Sequence, residues 1–379
     1  MKKVGIMTWY AYENYGTVLQ AAALNRVIGG LGYDAVDIAY DPKLGSRSHE
    51  KPKRGLFDRL VGKFKFYLGS RPISNIDRTK KFADFIKKAI PLSADVCSMD
   101  YLSSLNCEYD AFVCGSDQIW SPRCFDPTYY LSFVDDERKL IAYAPSFGCD
   151  SLDDFRSASE IYDLLSRFSH IAVRETAAAA IVKKATGMVP PVVLDPTLLL
   201  SANDWRGYSA PLVEGDGYCL VYFLGSDREN WEAARRIAKE KGLRIVVVPV
   251  FQRDCRRGEC EDRAIGPAEF LSLIDNADLV CTDSFHGMVF STIFERKFIA
   301  FERFDPRSPE SQNTRVYSYL NLIESRRVLL SRSRLSEWRD FIDVSLDYGA
   351  VAHRIEELRS ESMGYLKDSL KLAVEEVVK

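Results

Sequence analysis

The chain has 379 residues, 46% of them hydrophobic and 28% charged, with a formal net charge of −3. That composition excludes long disorder, and that charge gives no footing to a general nucleic-acid binder. No apolar run approaches the roughly 18–20 residues of a membrane-spanning helix. The length exceeds one typical core and points to about two domains. The N-terminus, Met1 to Gly5, enters a strand at once without signal-peptide architecture. Nine cysteines lack ligand-like C-x-x-C spacing, and Cys255 and Cys260 are isolated. Cys114, Cys219 and Cys281 fall in apparent strands as small core residues. A cytoplasmic chain with reduced thiols and no metal centre is therefore expected.

Strand and helix patterns alternate from the start. Val4–Trp9 reads as a strand, and an amphipathic helix over 17–24 ends near Gly29-Gly30. Strands follow at Tyr33–Ala39, Asp110–Cys114 and Leu140–Ala144. A helix is expected over about Leu152–Phe168, then a strand at His170–Arg174, an alanine-rich helix at Thr176–Thr186 and a strand at Val192–Leu194. A break rich in Gly, Pro, Asp and Trp covers Ser201–Gly217. A second alternating series then runs through strand 218–224, helix 229–241, strand 244–249, helix 267–277, strand 279–281, helix 287–295 and strand 297–301. Such alternation predicts parallel, doubly wound sheets. The expected fold class is α/β, with two Rossmann-like domains facing across a cleft in the arrangement called GT-B. The expected bounds are 1–205 for the N-terminal domain, 206–345 for the C-terminal one, and 346–379 for a terminal helix (about 352–378) that crosses back and braces the first.

One segment stands apart. Between Lys51 and Arg71 seven basic residues face a single acid, Asp58, and Leu56, Phe57, Leu60, Val61, Phe64 and Leu68 recur at helical spacing. Two readings stand: a basic amphipathic helix on an anionic membrane surface, or a solvated helix packed through its apolar stripe.

Four turns at strand ends carry the residue types that chemistry needs, since ligands in open α/β sheets collect there. In the first, Asn14 precedes Gly16, which lets a ligand approach the backbone, and a helix whose free N–H groups favour anions. The second is Gly115-Ser116-Asp117-Gln118-Ile119-Trp120. Its polar groups beside a Trp suit a sugar surface, with Ser116, Gln118 and Trp120 as contacts; an N-cap with a packed Trp120 is the alternative. In the third, Arg174 at a strand end suits bidentate binding of a carboxylate or phosphate, against a plain Arg174–Glu175 surface pair. In the fourth, Thr282-Asp283-Ser284-Phe285-His286-Gly287, one of only four histidines sits where a proton donor could meet a bound anion. A capping or core histidine is the alternative. Arg315 could reach that site from the following loop.

Taken in order, Asn14-Tyr15-Gly16-Thr17-Val18-Leu19-Gln20, Gly115–Trp120, Tyr143-Ala144-Pro145-Ser146-Phe147-Gly148, Val173-Arg174-Glu175, Leu194-Asp195-Pro196-Thr197-Leu198-Leu199 and Thr282–Gly287 resemble the polysaccharide pyruvyl transferases. The resemblance implies a GT-B-like fold and an enzyme of cell-surface glycan biosynthesis. Its co-substrate is phosphoenolpyruvate, and no other cofactor is implied. The pyruvyl group is attached as a ketal across two hydroxyls of a sugar or lipid-linked glycan. It implies an essential histidine at His286 and an arginine contact to phosphoenolpyruvate at Arg174. Some branches of the family carry an arginine two residues before the histidine, where this chain has Ser284. Arg315 is then the candidate to meet the remaining anionic charge, and Asp117 or Glu175 the candidate base on the acceptor. Two other functions fit the architecture: a nucleotide-sugar glycosyltransferase and a non-catalytic glycan-binding protein. A lipid-linked acceptor would place the chain at the inner face of the membrane.

Overall fold

A computed structural model describes residues 1–44, 72–73, 75–211, 217–257, 264–308 and 311–375. The basic segment Lys51–Arg71 lies outside the described residues. The chain forms two compact units, one from residues 1–50, 86–200 and 355–379, the other from 51–85 and 201–354.

In the first unit the order is β1 (Lys3–Met7), α1 (Tyr15–Gly30), β2 (Asp34–Asp37), α2 (Ile76–Ala89, which the division between units crosses), α3 (Met99–Ser104), β3 (Ala111–Cys114), β4 (Leu140–Tyr143), α4 (Ala158–Ser166), β5 (His170–Ala172) and α5 (Thr176–Thr186). The sheet order is β2-β1-β3-β4-β5, and every pairing is parallel. β3 and β4 are buried along their whole length, which is why they read as unbroken apolar runs rather than alternating ones. The core gathers Phe112, Trp120, Tyr130, Phe147, Ile161 and Leu165.

The second unit repeats the plan: α6 (Ala202–Arg206), β6 (Tyr218–Tyr222), α7 (Arg228–Glu240), β7 (Arg244–Val247), α8 (Pro267–Asp275), β8 (Leu279–Thr282), α9 (Phe285–Ile293), β9 (Phe298–Phe301), α10 (Thr314–Leu322) and β10 (Leu329–Leu330). Its sheet order is β7-β6-β8-β9-β10, again all parallel. Counted from the first strand of each unit, both sheets run 2-1-3-4-5. This is a doubly wound order whose switch point lies between the first and third strands. The long helix α11 (Tyr348–Val374) returns to the first unit, where Ser362 accepts from the Leu194 amide at 3.0 Å and Tyr365 donates to the Ala142 carbonyl at 3.1 Å.

The differences from the expected elements have local causes. Val192–Leu194 forms only a single bridge, Val192 to Val173, because the Leu194 amide goes to Ser362 and the chain turns away at Asp195-Pro196. α2 and α10 were not anticipated. α1 begins at Tyr15, so Gly16 lies in its first turn. Among the described residues no helix is long and apolar enough to cross a membrane.

One buried acid predicts a pH effect. Asp37, fully buried at the end of β2, accepts from Asn25 Nδ2 at 2.7 Å while its Oδ1 has no hydrogen-bond partner. Burial pushes its carboxyl up to about 8, and the Asn25 bond only partly opposes this. A raised carboxyl contributes stability below its unfolded value near 4, lost as pH rises toward 8. Near pH 7 keeping the proton costs about 4 kcal/mol, whereas an asparagine leaves one buried amide unpaired, at about 1–3 kcal/mol. Asp37→Asn is therefore expected to stabilise the chain by about 1–3 kcal/mol near pH 7 and to destabilise it by a similar amount near pH 4. Urea unfolding at both pH values checks the change of sign; equal effects at the two would refute it.

Candidate active site

The carboxyl ends of β1 and β3 flank the switch point of the first unit, and side chains knit the two turns together. Asn14 caps α1, its Oδ1 accepting from the Thr17 amide at 3.3 Å. Gln20 Nε2 donates to Thr8 Oγ1 and to the Trp9 carbonyl, both at 3.0 Å, while its Oε1 accepts from the Ser116 amide at 3.0 Å. Thr17 Oγ1 donates to Asp117 Oδ2 at 2.7 Å. The turn after β3 requires glycine: Gly115 has φ +127°, and a Cβ there would collide with the Tyr143 carbonyl.

Inside this turn lies Arg174, its side chain 3% exposed. Three carboxylates surround it: Asp195 at 2.8 Å, Glu175 at 3.7 Å and Asp117 at 3.9 Å. Burial works against its charge, but Asp195, Glu175 and Asp117 together overcome that and hold the guanidinium above its ordinary value. Hydroxyls complete the cage. Ser146 donates to Glu175 at 2.5 Å, Ser116 to Asp195 at 3.1 Å, and Thr197 to Asp195 at 2.7 Å. The result is a buried, hydrogen-bonded support beneath the switch point, with two more acidic than basic groups.

Several expected site residues are corrected by this geometry. Arg174 does not open onto an anion, because its guanidinium is enclosed by internal carboxylates. Glu175, 3% exposed, is enclosed with it and is not placed to take a proton from an acceptor. Asp117, 7% exposed, spends its oxygens on Thr17 and Arg174. Ser116 is fully buried, with its amide and hydroxyl both engaged. Trp120 offers no face to a sugar. It is fully buried, stacked on Tyr130 with centroids 5.2 Å apart, and its indole N–H donates to the Tyr129 carbonyl. The apolar Ile119 beside it and the buried residues of 128–131 explain this: the turn dives back into the core. Gln118 is half-buried against Gly148.

In the second unit the equivalent turns follow β6 and β8. Asp283 spans the switch point, accepting from the Leu224 amide at 2.6 Å and the Gly225 amide at 2.8 Å. Burial pushes its carboxyl up to about 6 against the pull of Arg303 and those two amides. Ser284 is the N-cap of α9, its side chain accepting from the Gly287 amide at 3.3 Å. The Ser284 amide donates to Thr282 Oγ1, which donates to the Tyr222 carbonyl at 2.7 Å. Gly287 packs on Thr282 so closely that a Cβ would overlap the threonine side chain. These contacts fix the entry of α9 and hence His286 in its first turn.

His286 is 8% exposed, with its imidazole edge-on to Phe285 at 5.0 Å between centroids. It thus stands at the N-terminal end of a nine-residue helix, where peptide dipoles and first-turn amides favour an anion. Ser284 is committed to capping and, being 3% exposed, has little surface for a ligand. Arg315 sits in the first turn of α10 rather than in a loop, half-buried, with Nη2 donating to Gln312 at 3.1 Å. Among the described residues no group of three or more His, Cys, Asp or Glu side chains is arranged to hold a metal ion.

Asp195, Thr17, Gln20 and Asp283 organise these turns without being among the expected site residues. The signal was present: each lies inside one of the six motifs, where a short polar side chain beside a strand end is buried and must find partners.

Residues 14–306 match the family model described as polysaccharide pyruvyl transferase. No curated protein matches the chain. Solved structures similar to it include a UDP-GlcNAc 2-epimerase from Methanocaldococcus jannaschii (13% identity over 92% of this chain and 93% of that one, TM-score 0.51). The S. aureus MnaA–UDP co-structure matches at 11% identity over 99% of each chain, TM-score 0.51, and Anabaena HepE in complex with UDP at 11% identity over 98% of each, TM-score 0.50. At such identities the likeness is one of fold, two Rossmann-like units in the GT-B manner.

Proposed function

Because this chain belongs to the polysaccharide pyruvyl transferase family, we propose that it moves the pyruvyl group of phosphoenolpyruvate onto two hydroxyls of a sugar as a ketal, releasing phosphate. The observation that carries this reading is His286, held by Ser284, Gly287 and Thr282 at the amino end of α9 beside the switch point.

The donor dictates the chemistry. Phosphoenolpyruvate is an enol ester, inert to alcohols until its terminal carbon gains a proton. His286, as imidazolium, gives that proton, and the central carbon becomes an oxocarbenium-like electrophile that one hydroxyl attacks. Departure of phosphate regenerates the cation, and the second hydroxyl closes the ketal. The two hydroxyl protons balance the step: one restores the imidazolium and the other leaves with phosphate. The amides of the first turn of α9 and the guanidinium of Arg315 supply attraction for the anionic groups. Arg174 supports the first unit from inside its carboxylate cage. The acceptor is a sugar or a lipid-linked glycan destined for the cell surface.

Incubating the chain with phosphoenolpyruvate and a panel of sugar diols, and following inorganic phosphate together with ketal signals by NMR, tests this reading. Acceptor-dependent phosphate release with ketal formation is expected; release of neither would overturn it. Two of the similar structures hold UDP, so heat protection by UDP-sugars in place of phosphoenolpyruvate would favour a glycosyltransferase instead.

A further inference from the structure

Beyond the end of β7 the second unit carries two arginines with buried donors that find no acceptor among the described residues. The segment leaves the strand through Val248-Pro249-Val250, pairs at Phe251 with Pro72, and makes one short helical turn, Asp254–Arg256. Arg253 Nε and Nη2 and Arg257 Nη1 are buried and have no hydrogen-bond partner among the described residues. The same holds for the indole N–H of Trp231, a side chain 2% exposed. The guanidinium of Arg257 lies over the Trp231 ring at 4.7 Å, that of Arg253 over Phe251 at 5.1 Å, and Arg235 donates to the Arg257 carbonyl at 3.3 Å. The local acid, Asp254, spends Oδ2 on the Val250 and Phe251 amides, and its buried Oδ1, which attracts both guanidiniums, makes no hydrogen bond to either. Burial, followed by the repulsion of Arg253 and Arg235, holds Arg257 below its ordinary value despite Asp254.

Buried N–H donors lacking acceptors are costly, and the cost is larger for charged groups. Arg174, by comparison, has three carboxylates within 4 Å of its guanidinium. Here stacked guanidiniums gather around one carboxylate that is already bonded to backbone. Planar guanidiniums fixed on aromatic faces suit a tetrahedral oxyanion that accepts several N–H bonds at once.

We propose that Arg253 and Arg257 form a phosphate-binding site and, on the strength of the transfer reaction proposed above, that its ligand is the phosphate or diphosphate group of a phosphorylated sugar acceptor. The arginines follow β7 and the His286 turn follows β8, the two strands that flank β6 in one sheet.

The test uses the full chain and inorganic pyrophosphate as the probe, by titration calorimetry at low salt. Saturable binding is expected, weakened at least tenfold in Arg253→Gln/Arg257→Gln. Arg257→Lys, which keeps the charge and loses the fork, is expected to weaken it too, and serves if the double variant fails to fold. Absence of saturable binding, or variants that bind as tightly as the parent, would overturn the site. In turnover, the arginine variants are expected to raise KM for a diphosphate-bearing acceptor with kcat retained, and to leave KM for the same sugar without phosphate alone. Equal effects on both acceptors would overturn the assignment of ligand. Pyrophosphate binding without any transfer from phosphoenolpyruvate would defeat the reaction proposed above and leave the site standing.

Discussion

Arg174→Leu is expected to destabilise the chain by about 3–5 kcal/mol, the cost of stranding buried carboxylates whose shared cation has been removed. Asp195, Glu175 and Asp117 lie 2.8, 3.7 and 3.9 Å from the guanidinium, and none of the three is more than 7% exposed. Water cannot replace the missing charge there, so the carboxylates must take up protons or push apart. The loss should accordingly be largest near neutral pH and shrink in acid, where protonation is cheap. Removing one acid at the same time, as in Arg174→Leu/Asp195→Leu, should recover part of it, since an apolar pair of similar volume often replaces a buried ion pair at little cost. Denaturant unfolding of the parent, the single and the double variant measures this as a double-mutant cycle. A donor-gripping arginine behaves differently: its removal would leave stability within about 0.5 kcal/mol, as surface changes usually do. That outcome would overturn the cage.

The repeating strand–helix plan was legible because parallel strands buried on both faces leave dense apolar runs between amphipathic helices. Leu140–Tyr143 and Leu279–Thr282 are of this kind. Less legible was anything decided by which atom meets which. The run Gly115–Trp120 has the composition of a sugar surface, yet Trp120 is drawn inward by Tyr130, Phe147 and Phe168, residues far along the chain. Arg174 beside Glu175 looks like a surface pair or an anion clamp until Asp195 is brought to 2.8 Å by the bridge of Val173 to Val192. Spacing along the sequence carries no information about that approach. The place of His286 at a helix start is legible because a strand end followed by a capped helix is a local pattern. The role of the adjacent Asp283 is not legible, since its partners, the Leu224 and Gly225 amides, lie on the neighbouring strand's turn. The arginines after β7 had no motif at all; they stand out only once their donors are seen to lack acceptors.

His286→Gln is expected to lower kcat for phosphate release by about 10²–10⁴-fold, the usual worth of a positioned general acid, with KM for phosphoenolpyruvate changed far less. Glutamine keeps a similar length and can donate a hydrogen bond, but it cannot give up a proton to carbon. The fold should tolerate it, because the turn itself is fixed by Ser284, Thr282 and Gly287. Its thermal midpoint should therefore stay close to that of the parent, which separates lost chemistry from lost structure. A second readout follows the proton itself. The methylene carbon of phosphoenolpyruvate becomes the methyl carbon of the ketal, so turnover in deuterated water should place one deuterium there per product. If protonation were reversible, more than one would accumulate and labelled phosphoenolpyruvate would return to solution; if the methyl carried none, no solvent-derived proton would reach carbon and a histidine acid would have no part in the reaction. Near-parental turnover by His286→Gln, with the label in place, would move the acid to another side chain and leave the amino end of α9 with anion binding as its remaining task.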